Sequence, residues 1–141
     1  MILDSSLLIA DERGRFALQE FFAAHGGENF HLAAISVSEL WHGVERAIPS
    51  ARRQIREAHV RARLARLNVL DFDAAVALRH AALWAALEAR GTLIGAHDLQ
   101  IAATALHHDQ SLATLNRKEF THVAGLRLMN VAPFIRPIRP S

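Results

Sequence analysis

Three acids in this chain stand where an apolar segment gives way to a polar one. Asp4 closes the run Ile2-Leu3 and is followed by Ser5 and Ser6; Glu39 sits in I-S-V-S-E-L-W-H-G-V; Asp98 lies in the first turns of L-I-G-A-H-D-L-Q-I-A-A-T-A-L, residues 93–106. A fourth polar group, Thr114, Asn116 and Glu119, follows the apolar run that ends near Leu115. Carboxylates held together raise one another's pKa unless a cation neutralises them. Mg2+ and Mn2+ take oxygen ligands and retain several waters, and such ions can activate water against a phosphodiester. Asp4, Glu39 and Asp98 are therefore candidate metal ligands, if the fold brings them together. Each acid also has a structural reading. Asp4 could cap a turn or helix, and Ser36 with Glu39 fits an S-x-x-E capping box. Asp73, just before Ala-Ala-Val-Ala-Leu, is expected to be a helix N-cap only.

Several other chemistries are excluded. The chain has no cysteine, which removes disulfides, thiolate zinc sites and cysteine nucleophiles and fits a reducing cytoplasm. There is no G-x-S-x-G elbow, and phosphate-loop and dinucleotide fingerprints are absent. The adjacent His107 and His108 cannot share one helix face, so they are expected at a helix C-terminus and not as a metal pair. The start M-I-L-D carries no basic stretch ahead of a long apolar run, so no secretory leader is expected. No apolar stretch approaches the roughly 20 residues of a membrane span, and no membrane partner is expected.

The elements that must position these acids follow from hydrophobic periodicity. With 141 residues and 51% hydrophobic content, the chain suits one domain with a genuine core. Strands are expected at Ile2-Leu3, 31–35, 68–72, 111–115 and, as a fifth, 127–131. Between them come helical stretches, including 15–24, an arginine-rich helix from Pro49 to Leu67 with a thin apolar stripe of Ile55, Val60, Leu64 and Leu67, and an alanine-rich helix 74–89 stopped by Gly91. Trp84 and Leu87 in that last helix belong to a core or a subunit interface. Strands alternating with helices predict a three-layer α/β/α fold on a parallel sheet of four to five strands. Right-handed crossovers place all the strand ends at one edge, where open α/β sheets bind ligands. The domain is expected over 1–132, with an extended, poorly ordered Pro-rich tail over 133–141.

The formal charge is only +2, but Arg52, Arg53, Arg56, Arg61, Arg63 and Arg66 crowd one helix, opposed there by Glu57 alone. That face is open to three readings: a solvated surface, a contact for phosphate, or a contact for an acidic protein.

Four blocks carry a family resemblance. M-I-L-D-S-S-L-L-I, I-S-V-S-E-L-W-H-G-V, I-G-A-H-D-L-Q-I-A-A-T-A-L and L-A-T-L-N-R-K-E-F-T-H-V-A-G-L-R-L occur in the order of the PIN-domain family and resemble most its VapC toxin ribonucleases. The resemblance implies an endoribonuclease toxin of a type II toxin–antitoxin pair, dependent on Mg2+ or Mn2+. It further implies a cytoplasmic homodimer restrained by a VapB-type antitoxin, with tRNA or rRNA loops as substrate. Asp4, Glu39 and Asp98 match the family's principal acids. Where relatives often carry aspartate in the closing block, this chain has Asn116 and then Glu119; Glu119 is the expected fourth charge, with Asn116 and Ser6 in support. Arg52, Arg53 and Arg56 become candidates for gripping the RNA backbone. The rival reading is a catalytically silent RNA-binding or regulatory module that lost the fourth acid. A third is a metal-dependent phosphatase or DNA nuclease built on similar acids.

Overall fold

In the computed structural model, which describes residues 1–48 and 50–137, short parallel strands form the centre of the molecule. They are β1 (Ile2–Leu3), β2 (His31–Ala33), β3 (Asn68–Leu70) and β4 (Leu112–Ala113), in the order β3-β2-β1-β4. Ile2 pairs with both His31 and Leu112, so β1 lies at the centre of the sheet. The pleat sorts its side chains. Leu3, Leu32 and Ala113 join one apolar core, while Ile2, Ala33 and Leu112 join a second. Both faces of β1 and β4 are therefore buried, as a parallel sheet favours, while the edge strand β3 leaves Val69 exposed.

Helices α1 (Ser5–Glu12), α2 (Leu18–Ala24), α3 (Ala34–Glu45) and α4 (Ser50–Leu64) contribute Leu7, Leu18, Phe21, Leu40, Val44 and Val60 to the first core. Helices α5 (Ala74–Ala89) and α6 (Ala96–His107), with the short α7 (Arg117–Phe120), supply Val76, Leu87, Ile101 and Phe120 to the second. In α6 the small residues Ala102, Ala103 and Ala105 are wholly buried, which brings that helix close to the sheet. Thr104 is buried among them, and its hydroxyl donates back to the Gln100 carbonyl at 2.7 Å.

The three-layer α/β/α architecture matches the expectation, but several details differ. Strand β2 stops at Ala33 and β3 at Leu70, because helix α3 begins at once and residues after Leu70 turn away. The expected fifth strand is a single parallel bridge, Leu112 to Leu128, held by Leu112 N–H to the Arg127 carbonyl and Met129 N–H to the Leu112 carbonyl, each at 2.8 Å. The capping box is absent. Helix α3 starts two residues before Ser36, which places Ser36 inside the helix, fully buried, with a hydroxyl that finds no partner. Asp73 caps α5 as expected, accepting from Val76 N–H at 3.0 Å. On α4 the apolar stripe is thinner than its spacing implied: Val60 is buried but Ile55 is 74% exposed. Pro49, the expected start of that helix, lies outside the described residues.

The segment after Val131 is a docked strap and not a loose extension. Ala132–Phe134 form a 3-10 turn, and Ile135 bridges Phe16 in antiparallel sense. Phe134 meets Phe21 edge to face with ring centres 5.2 Å apart. The tail beyond Pro137, with Pro140, lies outside the described residues. Among the described residues, no helix is long and apolar enough to cross a membrane.

Candidate active site

Asp4 leaves β1 and enters α1 as its N-terminal flanking residue, yet its side chain makes no cap hydrogen bond. Its carboxylate is turned instead into the sheet edge, where it is only 5% exposed. Both donors that reach it converge on a single oxygen: Thr114 Oγ1 donates to Oδ2 at 2.6 Å and Ser6 Oγ donates to the same atom at 3.0 Å. Each hydroxyl is itself fixed, since Thr114 Oγ1 accepts from Asn116 N–H at 2.9 Å and Ser6 Oγ from Leu115 N–H at 3.2 Å. The β1–β4 pairing thus holds Asp4 from two chain segments. Among the described residues Oδ1 has no side-chain donor, so it is available to a ligand.

Glu39 reaches the same edge from the second turn of α3. Ser5 Oγ donates to its Oε1 at 3.2 Å, and His97 Nδ1 lies 3.4 Å from Oε2. Asp98 comes from the first turn of α6, whose N-terminal flanking residue is Gly95. Asn116 precedes α7 without capping it, because its Nδ2 donates across to Asp98 Oδ2 at 3.2 Å. Glu119, one turn into α7, approaches Asp98 directly. A Cβ placed on Gly95 would stand 3.8 Å from both Asp98 Oδ2 and Glu119 Oε2, so the absent side chain leaves the space between these carboxyls open.

The electrostatics follow from this gathering. Burial, a hydrogen bond shared with Glu119 and the charges of Asp4, Glu119 and Glu39 push the Asp98 carboxyl up to about 7. Among the described residues no arginine or lysine forms an ion pair with any of the four acids; only His97 approaches one of them, Glu39. The fold therefore brings Asp4, Glu39, Asp98 and Glu119 to one edge, with Ser6 and Asn116 between them.

This donor set suits a hard divalent cation. Among the described residues no three of these groups already form a closed ligand set. Mg2+ does not need one, since it is ordinarily held by one or two carboxylates and keeps waters for its remaining positions. An open group of oxygen donors, with an unpaired Asp4 oxygen and a proton on Asp98 where a cation is lacking, has that character.

Three contributors carry little signal of their roles in the sequence. Thr114 was visible only as one polar group at a strand end, yet it makes the shortest contact to Asp4. Ser5 gave no sign that it would hold Glu39 across 34 positions. His97, next to Asp98, faces a different acid. Arg53 and Arg56, by contrast, are engaged within the chain: Arg53 forms two bonds to Glu45, and Arg56 bonds Glu12 at 3.2 Å and the Gly43 carbonyl at 3.3 Å. Arg52 is exposed.

A parallel sheet edge that gathers acids from the end of β1 and from α3, α6 and α7 defines a three-layer α/β/α domain with one acidic site. The PIN domain family matches residues 1–126, and this chain belongs to that family, in its VapC branch. Ribonuclease VapC1 of Rickettsia felis is 32% identical over 94% of this chain and 96% of its own length. The tRNA(fMet)-specific endonuclease VapC of Salmonella typhimurium is 31% identical over 69% of this chain and 71% of its own. A crystal structure of DNA-bound VapBC from Salmonella typhimurium superposes with a TM-score of 0.81 at 26% identity, covering 91% of this chain and 95% of that one.

Proposed function

We propose that this chain is the toxin of a type II toxin–antitoxin pair, a cytoplasmic endoribonuclease dependent on Mg2+ or Mn2+ and restrained by a VapB-type antitoxin. The observation that carries the reading is the group of four acids that holds a proton on Asp98 up to about 7. Relatives named as ribonucleases, at about a third identity over nearly the full chain, support the same conclusion.

Asp4, Glu39 and Asp98 would hold the ion, with Glu119 as the fourth charge. When bound, a divalent cation lowers the pKa of water and stabilises the charge that develops on the phosphodiester. The chain's own residues do the rest. Thr114 and Ser6 fix the Asp4 carboxylate so that its second oxygen faces the ion. Asn116 orients Asp98, which must give up its proton, and Ser5 with His97 sets the Glu39 carboxylate. Glu119 shares the Asp98 proton and is placed to accept one from the attacking water. Single-stranded loops, as in tRNA or rRNA, are the substrate this edge suits, because their backbone and bases are accessible where those of a duplex groove are not. Of the three arginines expected to contact that backbone, Arg53 and Arg56 are engaged with Glu45 and Glu12, which leaves Arg52 as the proposed contact.

Asp98→Asn should fold normally and reduce Mn2+-dependent RNA cleavage about a hundredfold or more, as loss of a positioned acid or base does. Full activity of this variant on end-labelled RNA would overturn the proposal. RNA binding by the wild type with no EDTA-sensitive cleavage would favour the silent binding module.

A further inference from the structure

Arginines outnumber lysines fifteen to one in this chain, taking the sixteen cations less Lys118, but they are not equivalent. On α4 most are already engaged. Arg53 pairs with Glu45, Arg56 with Glu12, Arg61 with Glu57 and Arg63 with Asp11. Arg61 also lies 4.9 Å over the Trp41 ring. These contacts pin α4 to α1 and α3 and consume the donors a phosphate would need. Among the described residues, the exposed arginines that form no ion pair include Arg13, Arg15, Arg46, Arg52 and Arg66, and of these Arg13, Arg46 and Arg52 line adjoining cavities.

Their placement is not scattered. Arg46 and Arg52, with Arg56, line a cavity of about 340 Å3 with no carboxylate in its wall among the described residues. Arg46 and Arg56 also line the adjoining cavity, of about 90 Å3, whose wall includes Glu39 and Arg13. Arg13 in turn lines a third cavity, of about 460 Å3, whose wall includes Ser6. Ile9 and Arg13 are common to the second and third cavities, and Arg46 and Arg56 to the first and second, so the three adjoin in a row that runs from Ser6 past Glu39 to Arg52. Gly43 also lines the second cavity, and its carbonyl accepts from Arg56 Nη1 at 3.3 Å.

We infer that this row of cavities is the track of a single-stranded RNA backbone, with Arg13, Arg46 and Arg52 each holding one phosphate on the Glu39 side of the cut. The inference rests on the nuclease reading and deepens it, replacing a generally basic helix with three free guanidinium groups in line with the acids. An unpaired guanidinium can present its planar fork to a phosphate without first breaking a bond to its own chain. By the same argument Arg53 holds α4 in place and does not grip RNA.

The test measures binding apart from cleavage. A fluorescein-labelled twelve-nucleotide oligouridine is titrated with the wild-type protein in EDTA at several salt concentrations, and then with Arg13→Ala, Arg46→Ala and Arg52→Ala. Each variant should weaken binding about three- to tenfold and reduce the salt slope by about 0.7, the share of one phosphate on a single strand. Arg66→Ala, in the turn after α4 and away from these cavities, should leave both unchanged. Unaltered affinity and slope in the three variants would overturn the inference. So would equal losses for Arg66→Ala, which would mean a diffuse field and no track. If a twelve-residue polyglutamate peptide bound as tightly as the RNA and responded to the same substitutions, the row of cavities would belong to an acidic protein partner and the inference would fall. A parallel Mn2+ cleavage assay separates the two readings: lost slopes without any cleavage keep the track and sink the nuclease, and cleavage with unchanged slopes does the reverse.

Discussion

At the scale of single residues, the account turns on the proton of Asp98. An ordinary aspartate in the unfolded chain titrates near 4, whereas this one titrates at about 7 in the folded protein. Between those values the native state holds more protons than the unfolded one, so stability falls as pH rises through that window and levels off above about 7. With Asp98 partly exposed, solvent screening reduces the effect to the order of 1–2 kcal/mol. Thermal unfolding in EDTA should therefore show the wild type losing stability from pH 5 to pH 8, with Asp98→Asn lacking that component and outlasting the wild type at pH 8. Equal pH dependence in the two proteins would mean that the acids do not repel. The residue scale is also where sequence was least informative. Asp4, Glu39 and Asp98 could be nominated because each follows an apolar segment. The hydroxyls of Ser5 and Thr114 that hold two of them depend on contacts across 34 and 110 positions, which no local pattern records.

At the scale of elements, helix placement was legible and helix starts were not. Leu87, assigned to a core or an interface, is wholly buried on α5, and the Asp73 cap was readable from its position before the alanine run. Ser36 shows where the same reasoning failed. S-x-x-E is a sound local signal, but packing on the sheet drew α3 back to Ala34 and placed the serine inside the helix. The difference has measurable consequences. Asp73→Ala removes a cap bond and should cost about 1 kcal/mol in urea denaturation. Ser36→Ala removes a buried hydroxyl without a partner and should be neutral or stabilising. A comparable loss for Ser36→Ala would show that it caps after all. The fifth strand failed for a related reason. Alternation in R-L-M-N-V marks an extended segment with an inward face, and Leu128 does meet Leu112, but one bridge satisfies the available edge of β4.

At the scale of the whole molecule, exposed apolar groups fall in more than one place, Ile48 and Ile55 around α4 and a second set on and after α5. Leu78 is 77% exposed, Leu93 52% and Trp84 48%. A cavity of about 240 Å3 between Trp84, Leu93 and Leu99 adds to this surface. Exposed Trp84 and Leu93 around such a cavity suit an association surface, in keeping with the homodimer that the family resemblance implies. Trp84→Glu should leave the fold intact and halve the mass seen by light scattering at micromolar concentration; a monomeric wild type would contradict the proposal. Only the whole molecule shows why one family pattern is spread over almost the full chain. Each acid sits on a different element, and the parallel sheet supplies the common edge.

The central claim is that these elements gather acids into a site that a divalent ion completes, and proton release upon Mn2+ binding tests it most directly. Isothermal titrations at pH 6, in two buffers of different ionisation enthalpy, count the protons displaced by the ion. With Asp98 protonated below about 7, the wild type should bind Mn2+ and release close to one proton per ion, and Asp98→Asn should bind more weakly and release almost none. Absence of Mn2+ binding by the wild type, or binding with no proton released, would contradict the account.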